Sequence, residues 1–229
     1  MSREIRYPTT SQRTPCVLVL DASGSMDELS GSGRTRIAEM NNGVQVLKQE
    51  LMADSTSKAR VELCIVCVGG PAGDADLLMD WSDVSGFIPP NLSAGGMTAL
   101  GVGMHIALDQ IKQRKQFYIA NGFDYTRPWI IVISDGDPTD PPAEWQSVCQ
   151  MSLIASTNKE VSIFPVGVDG NANLMVLGQL TQERPAVAMN SVKFAEFFLW
   201  LSKSLGERSR NAPGQRAVLP PVNSWAAVD

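Results

Sequence analysis

The chain of 229 residues carries a formal net charge of −5, with 19 Lys and Arg against 24 Asp and Glu. Proteins that bind nucleic acid use an excess of basic side chains to displace counterions from phosphates, so no nucleic-acid partner is expected for this acidic chain. Hydrophobic residues make up 44% and charged residues 19%, a composition typical of a globular domain with a large core.

The sequence does not predict a membrane protein either. No stretch approaches about 18 consecutive apolar residues, and no basic cluster would hold an anionic lipid surface. The N-terminal segment MSREIRYPTTSQRTP lacks the apolar core of a secretory signal. We therefore expect no membrane partner and a cytoplasmic location.

The first half of the chain combines short apolar runs with one helical pattern. Residues 1–14 are polar and aperiodic, and they predict an N-terminal arm. CVLVL at 16–20 and VELCIVCVGG at 61–70 predict buried strands, and LLMDWSDV at 77–84 predicts an antiparallel edge strand. Between the first two strands, apolar residues at steps of three and four predict a helix: Ile37, Met40, Val44, Leu47 and Leu51.

The second half continues the alternation. The loop NLSAGGMTALG opens a helix whose C-terminal end is predicted at the basic residues Lys112, Arg114 and Lys115. A strand at 129–133 precedes a helix that begins near Pro141. VSIFPVGVD, LMVLGQLT and PAVAM predict a strand, a short helix and a last strand. The last predicted helix has one apolar stripe: Phe194, Phe197, Phe198, Leu201 and Leu205.

This alternation predicts an α/β fold, a doubly wound and mostly parallel sheet with helices on both faces and one antiparallel edge strand. The domain is predicted at 15–206, with a C-terminal tail at 207–229. Trp225 in that tail has two interpretations, an anchor for a partner or a residue that packs on its own domain. In such sheets, ligands bind beyond the carboxyl ends of the strands, where the strand order reverses.

Two of the four cysteines form the pattern C-I-V-C, at Cys64 and Cys67. On a strand, residues three apart point to opposite faces, whereas a redox or zinc pair needs both sulfurs on one side. We therefore expect buried, reduced cysteines.

Oxygen-bearing side chains occur in three loops that follow predicted strands or open helices. Asp21, Ser23 and Ser25 lie in DASGSMDE, Thr98 follows GGM, and Asp135 begins DGDPTD. Asp and Ser at alternate positions also suit an ordinary capped turn. Together, however, the five residues predict a site of hard oxygen ligands, which suits Mg²⁺ most, with Mn²⁺ or Ca²⁺ as alternatives.

These five positions, in this order, resemble the metal-ion-dependent adhesion site of von Willebrand factor A (vWA) domains. The resemblance implies that Ser23, Ser25 and Thr98 coordinate the ion through hydroxyl oxygens, and that Asp21 and Asp135 act directly or through water. It also implies a remaining position for water or for an Asp or Glu of a protein partner. Four acidic residues outside the motif would either raise cation affinity or repel an acidic partner: Asp27, Glu28, Asp137 and Asp140. For Asp137 and Asp140, which lie in DPTDPP, ordinary turn chemistry is the favoured interpretation.

The phrases LDASGSM, GGMTALG and RPWIIVISDGDPTD most resemble the TerY type of bacterial tellurium-resistance gene clusters. That resemblance implies an accessory or scaffold protein in a tellurite- or stress-resistance system, with a protein kinase and a phosphatase of the same cluster as candidate partners.

A metal-dependent hydrolase or phosphatase that uses the same oxygens is the alternative. Ser23 stands where a phosphotransferase of the aspartyl type would carry a second Asp, and His105 is the one histidine available as a base. No G-x-S-x-G surrounds Ser23 or Ser25, and no P-loop sequence occurs. We therefore expect a non-catalytic interaction module.

Overall fold

The computed structural model describes residues 12–135, 137–170, 172–189, 193–212, 215 and 218–226. Among these residues, six strands form one sheet: β1 (Thr14–Ala22), β2 (Val61–Gly69), β3 (Ala75–Asp83), β4 (Trp129–Ser134), β5 (Ser162–Gly167) and β6 (Val187–Ala188). The α-helices are α1 (Arg36–Ala53), α2 (Ser55–Arg60), α3 (Leu100–Asn121), α4 (Pro142–Thr157), α5 (Leu174–Leu177) and α6 (Phe194–Arg210). Short 3₁₀ turns follow β1 and α5, at Gly24–Asp27 and Gly178–Leu180.

The strand order of the sheet is β3-β2-β1-β4-β5-β6. Only β3 is antiparallel to its neighbour, and the other pairs are parallel. The chain moves from β1 outward to β2 and β3, and then returns to place β4 on the other side of β1. The strand order therefore reverses between β1 and β4, so the loops that follow these two strands flank the crevice where such folds bind ligands.

Two hydrophobic cores, one on each face, hold the sheet between the helices. On β1, Leu18 and Leu20 belong to the core under α1 and α6, whereas Val17 and Val19 belong to the core under α3 and α4. The predicted doubly wound α/β architecture with an antiparallel edge strand is thus confirmed. Where α1 meets α6, a Cβ at Gly43 would lie only 2.5 Å from the ring of Phe198, so this crossing requires a glycine.

The helix that follows the first loop, α1, is capped by a side chain at its N-terminus. The Thr35 hydroxyl accepts a hydrogen bond from the backbone N–H of Ala38 at 3.3 Å, and the predicted apolar stripe of α1 is buried. The predicted end of α3 was wrong, because this helix continues to Asn121 and is closed by Gly122 at φ 69°. The basic residues Lys112, Arg114 and Lys115 therefore lie within the helix.

The C-terminal segment packs on the domain. The Trp225 side chain is 2% exposed, and its ring lies 4.9 Å from Phe197 and 5.2 Å from Trp200, measured between centroids. The indole N–H of Trp200 donates to the Pro220 carbonyl at 2.8 Å. Self-packing is therefore the correct interpretation of Trp225. At the same end, α6 continues to Arg210, past the predicted domain limit at 206.

The cysteines are reduced as predicted, and all but the partly buried Cys67 are buried. All four are free thiols; Cys64 lies in one core, and Cys67 packs against the other. Burial raises the pKa of Cys64 to about 12 and that of Cys67 to about 11, so both thiols stay protonated at neutral pH. No helix within the described ranges combines the length and apolarity needed to cross a bilayer.

Candidate metal centre

The first and third of the predicted loops lie side by side at the crevice. Parallel pairing sets Leu20 of β1 beside Ile133 of β4, which brings Asp21 next to Ser134. The Ser134 hydroxyl donates to Asp21 Oδ2 at 2.5 Å, and the Ser23 backbone N–H donates to Asp21 Oδ1 at 2.8 Å. Both carboxylate oxygens of Asp21 thus accept from the protein, a geometry suited to acting on an ion through water.

The environment of Asp21 is unusual for a carboxylate, because the residue is completely buried. Burial raises the pKa of Asp21, and the hydrogen bonds from Ser134 and Ser23 oppose that rise. A charge placed there is costly unless donors or a cation compensate it. Ser134, which sequence analysis missed, is one such donor.

Three of the five predicted residues are joined by side-chain hydrogen bonds. The Ser25 hydroxyl donates to Asp135 Oδ1 at 2.8 Å, and the hydroxyl oxygens of Ser23 and Ser25 are 3.1 Å apart. Because Ser25 has one proton and gives it to Asp135, Ser23 is the donor between the two serines. Two chain segments thereby form a continuous row of oxygens at the carboxyl edge of the sheet.

Thr98 reaches this edge through its backbone contacts. Its carbonyl accepts from the Thr139 N–H at 2.9 Å, and nearby Gly24 N–H donates to the Gly96 carbonyl at 3.2 Å. A Cβ at Gly69, whose φ is +74°, would lie 2.8 Å from Ser23 Cα and 2.9 Å from the Met97 carbonyl oxygen. The Thr98 segment is thus held against both other loops, while the side-chain bonds described above join Ser23, Ser25 and Asp135.

Arg36, at the first position of α1, contacts the same cluster. Its Nη1 donates to Asp135 Oδ2 at 2.9 Å and lies 3.1 Å from Glu28 Oε2, and its Nη2 donates to Asp169 Oδ2 at 2.6 Å. Sequence analysis missed Arg36 and Asp169. A signal existed, because a cation is unfavourable at a helix N-terminus unless acidic groups compensate it.

The acidic residues outside the motif have separate contacts. Asp140 accepts from the backbone N–H groups of Gly101 and Val102, at 2.9 and 3.1 Å, and so caps the N-terminus of α3. Asp137 accepts from the Asn173 side chain at 2.7 Å. Asp140 therefore has a structural role, but it caps a helix rather than only its own turn.

The donor set fits a hard cation better than a soft one. The five predicted residues offer hydroxyl and carboxylate oxygens, the ligands preferred by Mg²⁺ and Mn²⁺. Across the part of the chain that the structure describes, no three His, Cys, Asp or Glu side chains are grouped so that they could hold a metal. Any ion here would therefore depend on the hydroxyls of Ser23, Ser25 and Thr98. His105 lines a groove between α3 and α4 with Leu108 and Met151.

Comparison with known proteins identifies the fold only. No protein-family model and no curated protein matches the chain. Among solved structures, it is similar to proximal thread matrix protein 1 from the mussel byssus, with a TM-score of 0.57 and 15% identity over 86% of this chain and 48% of that one. It is also similar to the pilus adhesin SpaC from Lactobacillus rhamnosus GG, with a TM-score of 0.64 and 12% identity over 86% of this chain and 31% of that one. The chain spans about half of the mussel protein and about a third of the adhesin.

Proposed function

We propose that this chain is a vWA-type, non-catalytic module that binds a protein partner through a divalent cation, most readily Mg²⁺ or Mn²⁺. Asp21, Ser23, Ser25, Thr98 and Asp135 would hold the ion. The observation that carries the proposal is the 2.8 Å hydrogen bond between Ser25 and Asp135, which joins two loops at the reversal of strand order.

The donor set favours capture of a carboxylate. Three of the five proposed ligands are neutral hydroxyls, so the two carboxylates at most balance the charge of the ion and leave it able to bind a further oxygen ligand. Each external oxygen bound to such an ion gains electrostatic stabilisation, and an Asp or Glu from a partner is the protein ligand that supplies charge and oxygen together. A hydroxyl-rich centre therefore suits reversible association with an acidic residue.

The proposed setting follows from the sequence resemblance. Phrases such as LDASGSM and GGMTALG support a TerY-like accessory or scaffold protein in the bacterial cytoplasm, within a tellurite- or stress-resistance system. A protein kinase and a phosphatase of the same gene cluster are the proposed partners. One similar structure is named an adhesin, which agrees in kind with a role in binding.

Ion binding is tested by thermal unfolding with and without Mg²⁺ or Mn²⁺. At an ion concentration of about 100 times Kd, binding adds roughly 2.7 kcal/mol, which raises Tm by several degrees for a chain of this size. Ser25→Ala should abolish the shift, and Ser85→Ala, at an exposed serine in the turn after β3, should retain it. An unshifted wild-type protein, or an equal shift in Ser25→Ala, would contradict the proposal.

Partner binding is tested with the purified kinase and phosphatase. Capture on the immobilised chain should require Mg²⁺ or Mn²⁺, disappear with a chelator and fail for Ser25→Ala. Capture that is unchanged by the chelator would show that the partner binds a surface other than the proposed ion site. Turnover of a generic phosphate ester with either metal, lost in Ser25→Ala, would instead support the hydrolase alternative.

A further inference from the structure

We propose that Arg36 is an internal cation that competes with the divalent ion for Asp135, so that ion binding is an exchange in which the guanidinium moves from Asp135 to Asp169 and Glu28. This inference rests on the proposed function. It means that Arg36 limits the affinity of the proposed centre for the ion.

The placement of Arg36 depends on these acidic groups. Arg36 begins α1 directly after the N-cap Thr35, at the end of the helix where the dipole disfavours positive charge. Its side chain is only 13% exposed, so water screens it weakly. Contacts with Asp135 and Asp169 compensate for both effects.

Asp135 is shared between the proposed ion site and Arg36. Its Oδ1 accepts from Ser25, which belongs to the row of oxygens, and its Oδ2 accepts from Arg36 at 2.9 Å. The same Nη1 lies 3.4 Å from the Ser25 carbonyl oxygen. A positive charge this close to two of the proposed ligand residues opposes the approach of a second cation.

Other acceptors already hold the guanidinium, so it need not become unpaired. Nη2 donates to Asp169 Oδ2 at 2.6 Å, and Nη1 lies 3.1 Å from Glu28 Oε2. Arginine has five N–H donors, and only some of them serve Asp135. Arg36 can therefore give up Asp135 and remain paired in a site that is mostly buried.

An alternative role of Arg36 predicts the opposite change in ion affinity when this residue is removed. If Arg36 only held the Asp135 carboxylate in position, its removal would disorder a ligand and weaken ion binding. Competition predicts tighter binding after removal. The direction of change in affinity therefore separates the two roles.

The test is calorimetric titration of Mg²⁺ and Mn²⁺ into matched variants. Arg36→Gln should bind the ion at least roughly tenfold more tightly than wild type, because a like charge is removed from a weakly screened position. Arg34→Gln is the matched control, since it removes the same charge from a side chain that is 58% exposed, and its affinity should stay near that of wild type. Without ion, Arg36→Gln should have the lower Tm, because Asp135 and Asp169 lose their counter-charge.

A second pair of variants tests the exchange itself. Asp169→Asn removes the negative charge toward which Arg36 would move, so it should weaken ion binding more than Asp137→Asn, which removes an exposed charge that accepts a hydrogen bond from Asn173. Equal losses in these two variants would overturn the exchange.

The outcomes separate this inference from the proposed function. Ser25-dependent ion binding in the wild type, with equal or weaker binding in Arg36→Gln, would overturn the role of Arg36 and leave the proposed function standing. No binding in either protein would overturn both. Arg36→Lys keeps the charge without the fork of donors, and wild-type-like affinity in this variant together with tight binding in Arg36→Gln would support competition by charge.

Discussion

The amino edge of the central sheet, where its parallel strands begin, and the carboxyl edge, where they end, both carry arginine–carboxylate clusters. The two clusters are built differently. At the amino edge, near the start of β2, Glu62 Oε2 accepts from Arg114 Nε and Nη2 at 3.0 and 2.7 Å and from the Tyr118 hydroxyl. Arg13 Nε lies 3.6 Å from Glu62 Oε1. Here one carboxylate contacts two arginines, and its charge is fully compensated.

At the carboxyl edge the ratio of arginines to carboxylates is reversed. Among the described contacts, Arg36 pairs with Asp135, Asp169 and Glu28, and the buried carboxylate of Asp21 lies beside them at the end of β1. Regular elements hold the amino-edge cluster, whereas loops supply most groups of the other. The comparison teaches that the same chemistry can join a helix to a sheet at one edge and leave negative charge for an added cation at the other.

The largest expected effect comes from breaking the amino-edge cluster. Glu62→Gln leaves the Arg13 and Arg114 charges without their shared carboxylate, which should cost about 3–5 kcal/mol in the free energy of unfolding. Urea denaturation measures this loss, and the Mg²⁺-induced shift in Tm should persist in the variant. Glu160→Gln, at an exposed partner of Lys115, is the control and should cost little. A loss no larger than in that control would contradict a structural role for the cluster.

A smaller effect is expected at the carboxyl edge from Ser134→Ala. This change removes a donor from the buried Asp21 carboxylate and should cost roughly 1–3 kcal/mol, measured by the same denaturation. Ser162→Ala, at a buried serine that begins β5, tests the loss of a hydroxyl at the opposite edge and should cost less. Equal losses in the two variants would show that the hydrogen bond to Asp21 contributes nothing beyond the loss of a buried hydroxyl to the free energy of unfolding.

The cap on α3 should contribute less to the free energy of unfolding than the hydrogen bond between Ser134 and Asp21. Asp140→Ala leaves the N–H groups of Gly101 and Val102 without their acceptor and should cost about 1 kcal/mol. Asp137→Ala, on the exposed side of the same loop, should change stability by less than half as much. An unchanged Tm in Asp140→Ala would show that water replaces the cap.

The smallest expected effect is a difference in alkylation rate between thiols near the two edges of the sheet. Burial raises the pKa of Cys67 to about 11 and raises that of the completely buried Cys16 further. The thiolate reacts with alkylating agents, so both should react slowly at pH 8, and Cys67 should react about tenfold faster for each pH unit of increase below its pKa. Mass spectrometry of alkylated peptides should find Cys67 labelled before Cys16. The reverse order would contradict the burial difference.

Most of the fold could be predicted from the sequence because burial leaves a periodic pattern. Apolar runs identified β1, β2, β4 and β5, and steps of three and four residues identified α1 and α6. The end of α3 was mistaken because its last turns expose the apolar Phe117 and Ile119 and bury Tyr118, so hydrophobicity does not mark the buried face there. The Asn121–Gly122 pair, a common helix stop, was the usable signal.

The candidate site was predictable only in part. The short motifs containing Asp21 and Asp135 stand at strand ends, and parallel pairing brings those ends together. The contacts of Arg36 with Asp169 and of Ser134 with Asp21 join residues far apart in sequence, and hydrophobic periodicity carries no information about them. The position of Arg36 at a helix N-terminus signals that it needs acidic partners, but which residues these are follows from the tertiary arrangement.

The packed C-terminal segment has a consequence for β6. Ala226 forms an antiparallel bridge with Met189, directly after β6, so this segment covers backbone groups at the outer margin of the sheet. An uncovered margin is a template for pairing with another chain. Shortened versions that stop after α6 would therefore tend to self-associate, and recombinant forms should retain the final residues through Ala226.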